Sequence, residues 1–320
     1  MRIQLITPAP LRINNGNKIT AVRWRRILSQ LGHKVTLDQS YNTNPCDILI
    51  ALHARRSYES IHRFHKLHPE RPLIVVLTGT DLYRDIRTNR DAQRALELAT
   101  RIVPLQRMAL AELPKRLHGK TRVIYQSAEP YHLKPPPWDS RRFKVCVIGH
   151  LRDEKDPLRA AMAVRGLPPE SRIQVLHVGR ALGADLEKKA RSETRKNSRY
   201  RWVGELPHWK TRQILARSHL TIITSRMEGS SNVLSEAIAS SVPVLAARIS
   251  GLMGTLGEFY PGYFRVGDTG KLAALLTKAE SDPAYYRLLK NRCRRLSSLV
   301  KPVREVQAWR RLLRELERAR

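Results

Sequence analysis

The chain has 320 residues, enough for two domains of ordinary size, and its 42% apolar content excludes wholesale disorder. Lys and Arg total 59 against 28 Asp and Glu, a formal charge of +31 that attracts anions of any kind, from nucleic acid to small phosphorylated ligands. No apolar run reaches the roughly 18 residues of a membrane span, and MRIQLITPAP at the start has too short an apolar core for a signal peptide. Cys46, Cys146 and Cys293 lie far apart without zinc or thioredoxin-type spacing. The first two fall in expected core strands, so all three read as packing residues of a reduced, cytoplasmic protein. RNA-binding aromatic motifs, zinc-finger spacings and a helix-turn-helix signature are missing, so nucleic acid is not expected as a partner.

Residues 2–7 (RIQLIT) read as a strand that ends at Pro8 and Pro10 and the polar turn Asn14-Asn15-Gly16-Asn17. Ala21, Trp24, Leu28 and Leu31 recur at spacings of three and four, which predicts an amphipathic helix over 18–31, closed by Gly32. Strands are expected at 33–38 and 46–52, a basic helix at 54–67, and strands at 72–78, 101–105 and 121–125, with helices at 91–99 and 106–117. Strands alternating with helices argue for a doubly wound parallel sheet.

The proline-rich stretch 126–142 breaks the rhythm and reads as a linker. A second alternation follows, with strands at 143–149, 172–179, 200–203, from Leu220 and from Val242. The chain turns helical after about Gly270, and Val303, Val306, Trp309, Leu313 and Leu316 form an apolar stripe on the last helix. The expected organisation is an N-terminal Rossmann-like domain at 1–127, a linker at 128–142 and a C-terminal Rossmann-like domain at 143–300. A helix at 301–320 then docks on the body, free to return to the N-terminal domain.

The most informative stretch is SRMEGSSNVLSEAIASS, residues 225–241, between two short apolar strands. Glu228 and Glu236 stand across it with seven residues between them. Glu236 is surrounded by Val233, Leu234, Ala237, Ile238 and Ala239, which leaves two readings: a buried carboxylate that needs a partner or ligand, or a narrow solvent-facing stripe. Other polar groups also lie just past predicted strands. They are His150 to Lys155, the Gly16 loop, His53 with Arg55 and Arg56, and Thr78-Gly79-Thr80-Asp81. Ligands of open α/β sheets bind at the carboxyl ends of strands, so these groups are expected to face a cleft between two sheets. No Gly-x-Gly-x-x-Gly follows the first strand, which argues against a nicotinamide enzyme.

Glu228-x7-Glu236 followed by Pro243-Val244, with the Gly149 to Lys155 run, resembles the donor signature of retaining GT-B glycosyltransferases of family 4. The strings NNGNKITAVRWRRILSQLGHKV, ALHARRS, LTGTDLYRDI and VIGHLRDEKDPLRAA are similar to the selenosugar synthases (SenB family) of selenoneine biosynthesis, over about residues 2–300. The resemblance implies a GT-B fold, α/β with two doubly wound parallel-sheet (Rossmann-like) domains. It also implies transfer of a hexosyl group from a UDP-sugar, UDP-N-acetylglucosamine or UDP-glucose, to selenophosphate. The 1-seleno-sugar would pass to a downstream selenoneine-pathway enzyme.

In that frame Glu236 would accept from the ribose hydroxyls, and Glu228 would bind the transferred sugar. Arg152 and Lys155 would neutralise the departing diphosphate. Gly229, Ser230, Ser231 and Asn232 would offer donors at a helix N-terminus, and Gly16 with Asn17 would approach the phosphates closely. Glu228, Asp81 and His53 are the expected catalytic residues, and Lys18, Thr20, His53, Arg55, Arg56, Thr78 and Thr80 the expected acceptor-side ligands. Arg55 and Arg56 read equally as exposed helix arginines.

Three positions depart from the wider family. His150 stands where an arginine is usual, Thr80 where a histidine pairs with Asp81, and Ser230-Ser231 where Phe-Gly is common. These departures touch the acceptor more than the donor. Selenophosphate is already anionic and its selenium is strongly nucleophilic, so it needs an anion-holding pocket more than a base. No metal or other cofactor is expected, because fixed cations can meet the diphosphate. Two other readings remain: a family 4 transferase with a lipid or polysaccharide acceptor, and a basic, non-catalytic binding protein on a GT-B scaffold.

Overall fold

The computed structural model describes residues 1–8, 15–131 and 141–318. Asn14, Pro10 and most of the expected linker (132–140) lie outside these residues. The chain divides into two compact units. Unit 1 comprises Met1–Ser127, Glu228–Asn232 and Pro302–Arg320; unit 2 comprises Ala128–Met227 and Val233–Lys301.

In unit 1, strands β1 (Arg2–Ile6), β2 (Lys34–Asp38), β3 (Ile48–Leu52), β4 (Leu73–Leu77) and β5 (Arg101–Pro104) form one parallel sheet ordered β2-β1-β3-β4-β5. Every residue of β3 and β4 is buried, as apolar strands covered on both faces must be. Helix α1 (Gly16–Gln30) is capped by Asn15, whose side chain accepts from the Lys18 N–H. Gly32, at φ +88°, ends it.

Helix α12 (Pro302–Arg318) packs with α1 on one face of this sheet, the Trp24 and Trp309 rings meeting edge to face at 4.8 Å. Helices α2 (Tyr58–Leu67), α3 (Ile86–Thr88) and α4 (Arg90–Leu98) lie in the other half of unit 1, and α2 and α4 pack on the opposite face. Glu305 of α12 is buried and accepts from Arg23 Nε at 3.0 Å, Trp24 Nε1 at 2.5 Å, and the Ser127 N–H and hydroxyl.

Four expectations for this unit are corrected. The 121–125 segment is not a sixth strand; it donates from Arg122 and Ile124 to the carbonyls of Ile102 and Pro104. Pro104 has no N–H to return, so the ladder stops. The expected helix over 106–117 is two 3₁₀ segments, Arg107–Glu112 and Lys115–Lys120, separated at Pro114. Cys46 is buried but precedes β3 rather than lying in it. Val303 is 54% exposed, because a spacing of three drifts around a 3.6-residue turn and Glu305 and Leu312 take the inward positions.

In unit 2, strands β6 (Phe143–Ile148), β7 (Ile173–Val178), β8 (Tyr200–Trp202), β9 (Leu220–Ile223), β10 (Val244–Ala247) and β11 (Tyr263–Phe264) form a parallel sheet ordered β11-β10-β9-β6-β7-β8. Its helices are α5 (Arg159–Arg165), α6 (Ala184–Lys196), α7 (His208–Ala216), α8 (Asn232–Ala239), α9 (Ser250–Leu256), α10 (Thr269–Ser281) and α11 (Pro283–Leu296). The strand order reverses between β6 and β9, the point where doubly wound sheets bind ligands. Both informative stretches, 149–155 and 225–236, leave the sheet at this point. Among the described residues no helix is long and apolar enough to cross a membrane.

Candidate active site

In unit 2, Gly149 follows β6 and Gly179 follows β7. A Cβ on Gly179, at φ +155°, would lie 1.9 Å from the Gly149 carbonyl oxygen, so only glycine lets these strand ends meet. His177 holds the same carbonyl. Its Nε2 donates to Gly149 O at 3.1 Å while its Nδ1 accepts from the Tyr200 hydroxyl at 2.7 Å. Burial pushes the imidazole down to about 4, so it is neutral.

The loop after β6 is fixed from several directions. Asp156, in the left-handed region at φ +44°, is buried and pairs with Arg159 at 2.9 Å and Arg226 at 3.7 Å. Thr224 Oγ1 donates to Lys155 O at 2.7 Å, and the Arg226 N–H to Glu154 O at 2.8 Å. The loops after β6 and β9 are therefore bound to each other. Arg152 is exposed and Lys155 half-buried on this rim. His150 accepts from the Arg180 N–H at Nδ1, 3.0 Å.

Helix α8 resolves the two readings of Glu236. The residue is 8% exposed among Leu234, Ala237 and Ile238, so it is the buried carboxylate. Its Oε1 accepts from His208 Nε2 of α7 at 2.9 Å. Sequence reasoning missed His208, since nothing in its local pattern marks a partner 28 positions away.

In unit 1, His53 follows β3 with φ +72°, an unusual conformation for a bulky residue. Its Nδ1 accepts from the Arg56 N–H at 3.3 Å, so Nε2 carries the proton and donates to Thr80 Oγ1 at 2.9 Å. Burial lowers the imidazole pKa against the raising influence of Asp81. Arg55 pairs at 2.9 Å with Asp85; the Arg56 side chain is exposed.

Asp81 is fully buried. Its Oδ1 accepts from the N–H groups of Thr78 and Gly79 at 2.9 and 2.8 Å, with Thr78 Oγ1 at 3.4 Å, and its Oδ2 from Ala54 at 3.0 Å. Its oxygens hold two strand-end turns together. Thr20, expected among the acceptor-side ligands, is 3% exposed, donates to Gly16 O and accepts from Gln126.

Segment Glu228–Asn232 belongs to this unit. A Cβ on Gly229 would sit 2.4 Å from Thr78 C and O, and one on Gly79 3.0 Å from Gly229 N, so two glycines allow backbone to touch backbone. Glu228 is 7% exposed, and its charge adds to the burial and the Glu112 charge that raise the Tyr83 phenol. Ser231 is buried and Ser230 half-buried. Asn232 Nδ2 donates to Gly16 O at 3.4 Å, and its Oδ1 accepts from Arg23 at 3.0 Å. Gly16, Asn17 and Lys18 form the first turn of α1 beside Asn232. Among the described residues no group of three His, Cys, Asp or Glu side chains could hold a metal ion.

The family profile described as glycosyl transferases group 1 matches residues 131–296, just over half of the chain. Among solved structures, HepE of Anabaena in complex with UDP and glucose is similar with TM-score 0.76 and 17% identity, covering 98% of this chain and 100% of its own. Sucrose-phosphate synthase from Thermosynechococcus elongatus gives TM-score 0.76 and 18% identity, covering 100% of each chain. A glycosyltransferase from Rickettsia africae gives 0.75 and 14%, covering 98% of each. At these identities the likeness establishes the fold: two Rossmann-like domains and a helical C-terminus, the GT-B arrangement.

Proposed function

Because this chain belongs to the group 1 glycosyl transferases, we propose that it moves a hexosyl group from a UDP-sugar, UDP-N-acetylglucosamine or UDP-glucose, to selenophosphate. The observation that carries the donor half is Glu236, a buried carboxylate on a mostly apolar helix at the reversal point of a doubly wound sheet. HepE, which shares this fold, was solved with UDP-glucose. In this reading Glu236 accepts from the ribose hydroxyls and Glu228 from the transferred sugar. Arg152 and Lys155 meet the diphosphate together with the N–H groups of Ser230 to Asn232. Gly16 and Asn17, in the first turn of α1, are the further donor ligands of this reading. Cations take the place of a metal, so turnover is expected to survive EDTA.

The acceptor half rests on the N-terminal resemblance and on the state of the candidate bases. His53 has both ring nitrogens engaged and Asp81 has both oxygens engaged, so neither is free to deprotonate a sugar hydroxyl. An acceptor that arrives as an anion fits such a site, with Lys18, Arg55, Arg56 and the Thr78 and Thr80 hydroxyls as its ligands. Selenium attacks the anomeric carbon, UDP leaves with the bonding electron pair, and water then cleaves the selenium–phosphorus bond to give phosphate and the 1-seleno-sugar. Three buried, unbridged cysteines suit a reducing, cytoplasmic setting.

The test is incubation with each UDP-sugar and selenophosphate, following UDP release and the selenium isotope pattern of the product. UDP released only with a carbohydrate or lipid acceptor would overturn the selenium assignment. Glu236→Ala is expected to abolish UDP binding in calorimetry; unchanged binding would count against the donor assignment.

A further inference from the structure

The proposed donor site assigns work to Glu236 but none to the residue that holds it. His208 opens α7, directly after Pro207, and its Nε2 lies 2.9 Å from Glu236 Oε1. The two residues differ sharply in exposure. The Glu236 side chain is 11% exposed, whereas that of His208 is 55% exposed. The imidazole therefore holds a buried carboxylate while remaining open to water itself.

We propose that His208 is a positioning residue for the donor nucleotide, resting on the reading of Glu236 as the ribose ligand. The imidazole occupies Oε1 and so fixes the rotation of the carboxylate. Oε2 is then the oxygen that meets the ribose 2′- and 3′-hydroxyls. A glutamate has three freely rotating side-chain bonds, and an acceptor already locked in its bound rotamer loses less entropy when the ligand arrives. The effect is confined to ligands that carry those hydroxyls. His208 therefore contributes to discrimination between ribonucleotide and deoxyribonucleotide donors, a distinction that buried hydrogen-bonding sites make sharply.

The experiment compares the wild type with His208→Ala, His208→Gln and Glu236→Ala by titration calorimetry against UDP and 2′,3′-dideoxy-UDP. The glutamine amide nitrogen reaches the position of imidazole Nε2. His208→Ala is expected to weaken UDP about 5–10-fold and dideoxy-UDP less than about twofold, with His208→Gln restoring most of the loss. In turnover the same variant raises KM for the UDP-sugar and leaves kcat within about twofold, as loss of uniform binding does. If His208→Ala weakens both nucleotides alike, the residue merely supports α7 and the proposal fails. If Glu236→Ala abolishes UDP binding while His208→Ala leaves it unchanged, the proposal fails and the donor reading stands. If neither variant changes UDP binding, the donor reading itself is wrong and the proposal falls with it.

Discussion

Two glycines show how single residues set the geometry of this protein. A Cβ at Gly229 would lie 2.4 Å from the Thr78 backbone, closer than any Cβ tolerates, and one at Gly79 would lie 3.0 Å from Gly229 N. Gly229→Ala must push Thr78 aside, and Thr78 is tied to Asp81. The expected cost is about 2 kcal/mol of stability, read as a fall in denaturant midpoint, with a parallel loss of UDP-sugar turnover. A variant as stable as the wild type would show that the contact gives way easily.

His177 makes a second prediction at this scale. Its folded pKa, about 4, lies below the ordinary 6.5. As pH falls, the unfolded chain takes up the proton first. The contribution is therefore fully present above about 6.5 and is lost on the way down to about 4, amounting to about 3 kcal/mol in all. Chemical denaturation at pH 7.5 and pH 4.5 should show this loss, and His177→Asn should lessen the slope.

At the scale of elements, α12 is the clearest case. Its apolar stripe was legible from periodicity, since Trp309, Leu313 and Leu316 recur at helical spacing and are buried. Glu305 was not, because a glutamate in an arginine-rich helix reads as solvated. The structure buries it to 2% and gives it donors from Arg23, Trp24 and Ser127. Glu305→Ala removes the acceptor and leaves a guanidinium, an indole N–H and a backbone N–H short of one. The expected loss is about 3–5 kcal/mol, more than Trp309→Phe should cause, measured by urea denaturation of both variants. The 121–125 segment failed in the opposite direction. Its place in the alternation of strands and helices promised a strand, but a neighbour lacking an N–H, Pro104, prevented the ladder.

For the whole molecule the dominant quantity is the charge of +31. Few of these cations belong to the candidate site. Arg304, Arg310, Arg311 and Arg314 line the outer face of α12, all of them exposed. Like charges at this density repel one another in the compact state, and salt screens them over a Debye length of about 10 Å at 0.1 M. Raising sodium chloride from about 20 mM to about 300 mM should raise the thermal midpoint by several degrees. A midpoint that stays flat or falls would mean that the folded chain is not strained by its own charge.

The amino-acid sequence alone determined the alternation of strands and helices, the two sheets and the placement of polar residues at strand ends. These follow from the period of apolar side chains and from glycine and proline, which are local properties of the chain. It also marked Glu228 and Glu236 as an unusual pair. Only the tertiary structure decided which of the marked groups are open to a ligand. Asp81 and Thr20 looked like site residues and are engaged internally, whereas His208 and Glu305 gave no sequence signal; the first holds the Glu236 carboxylate and the second is itself a buried, hydrogen-bonded carboxylate. Periodicity reports which side of an element faces inward. It does not say which distant donor meets which acceptor, because that pairing is set by packing between segments tens to hundreds of residues apart.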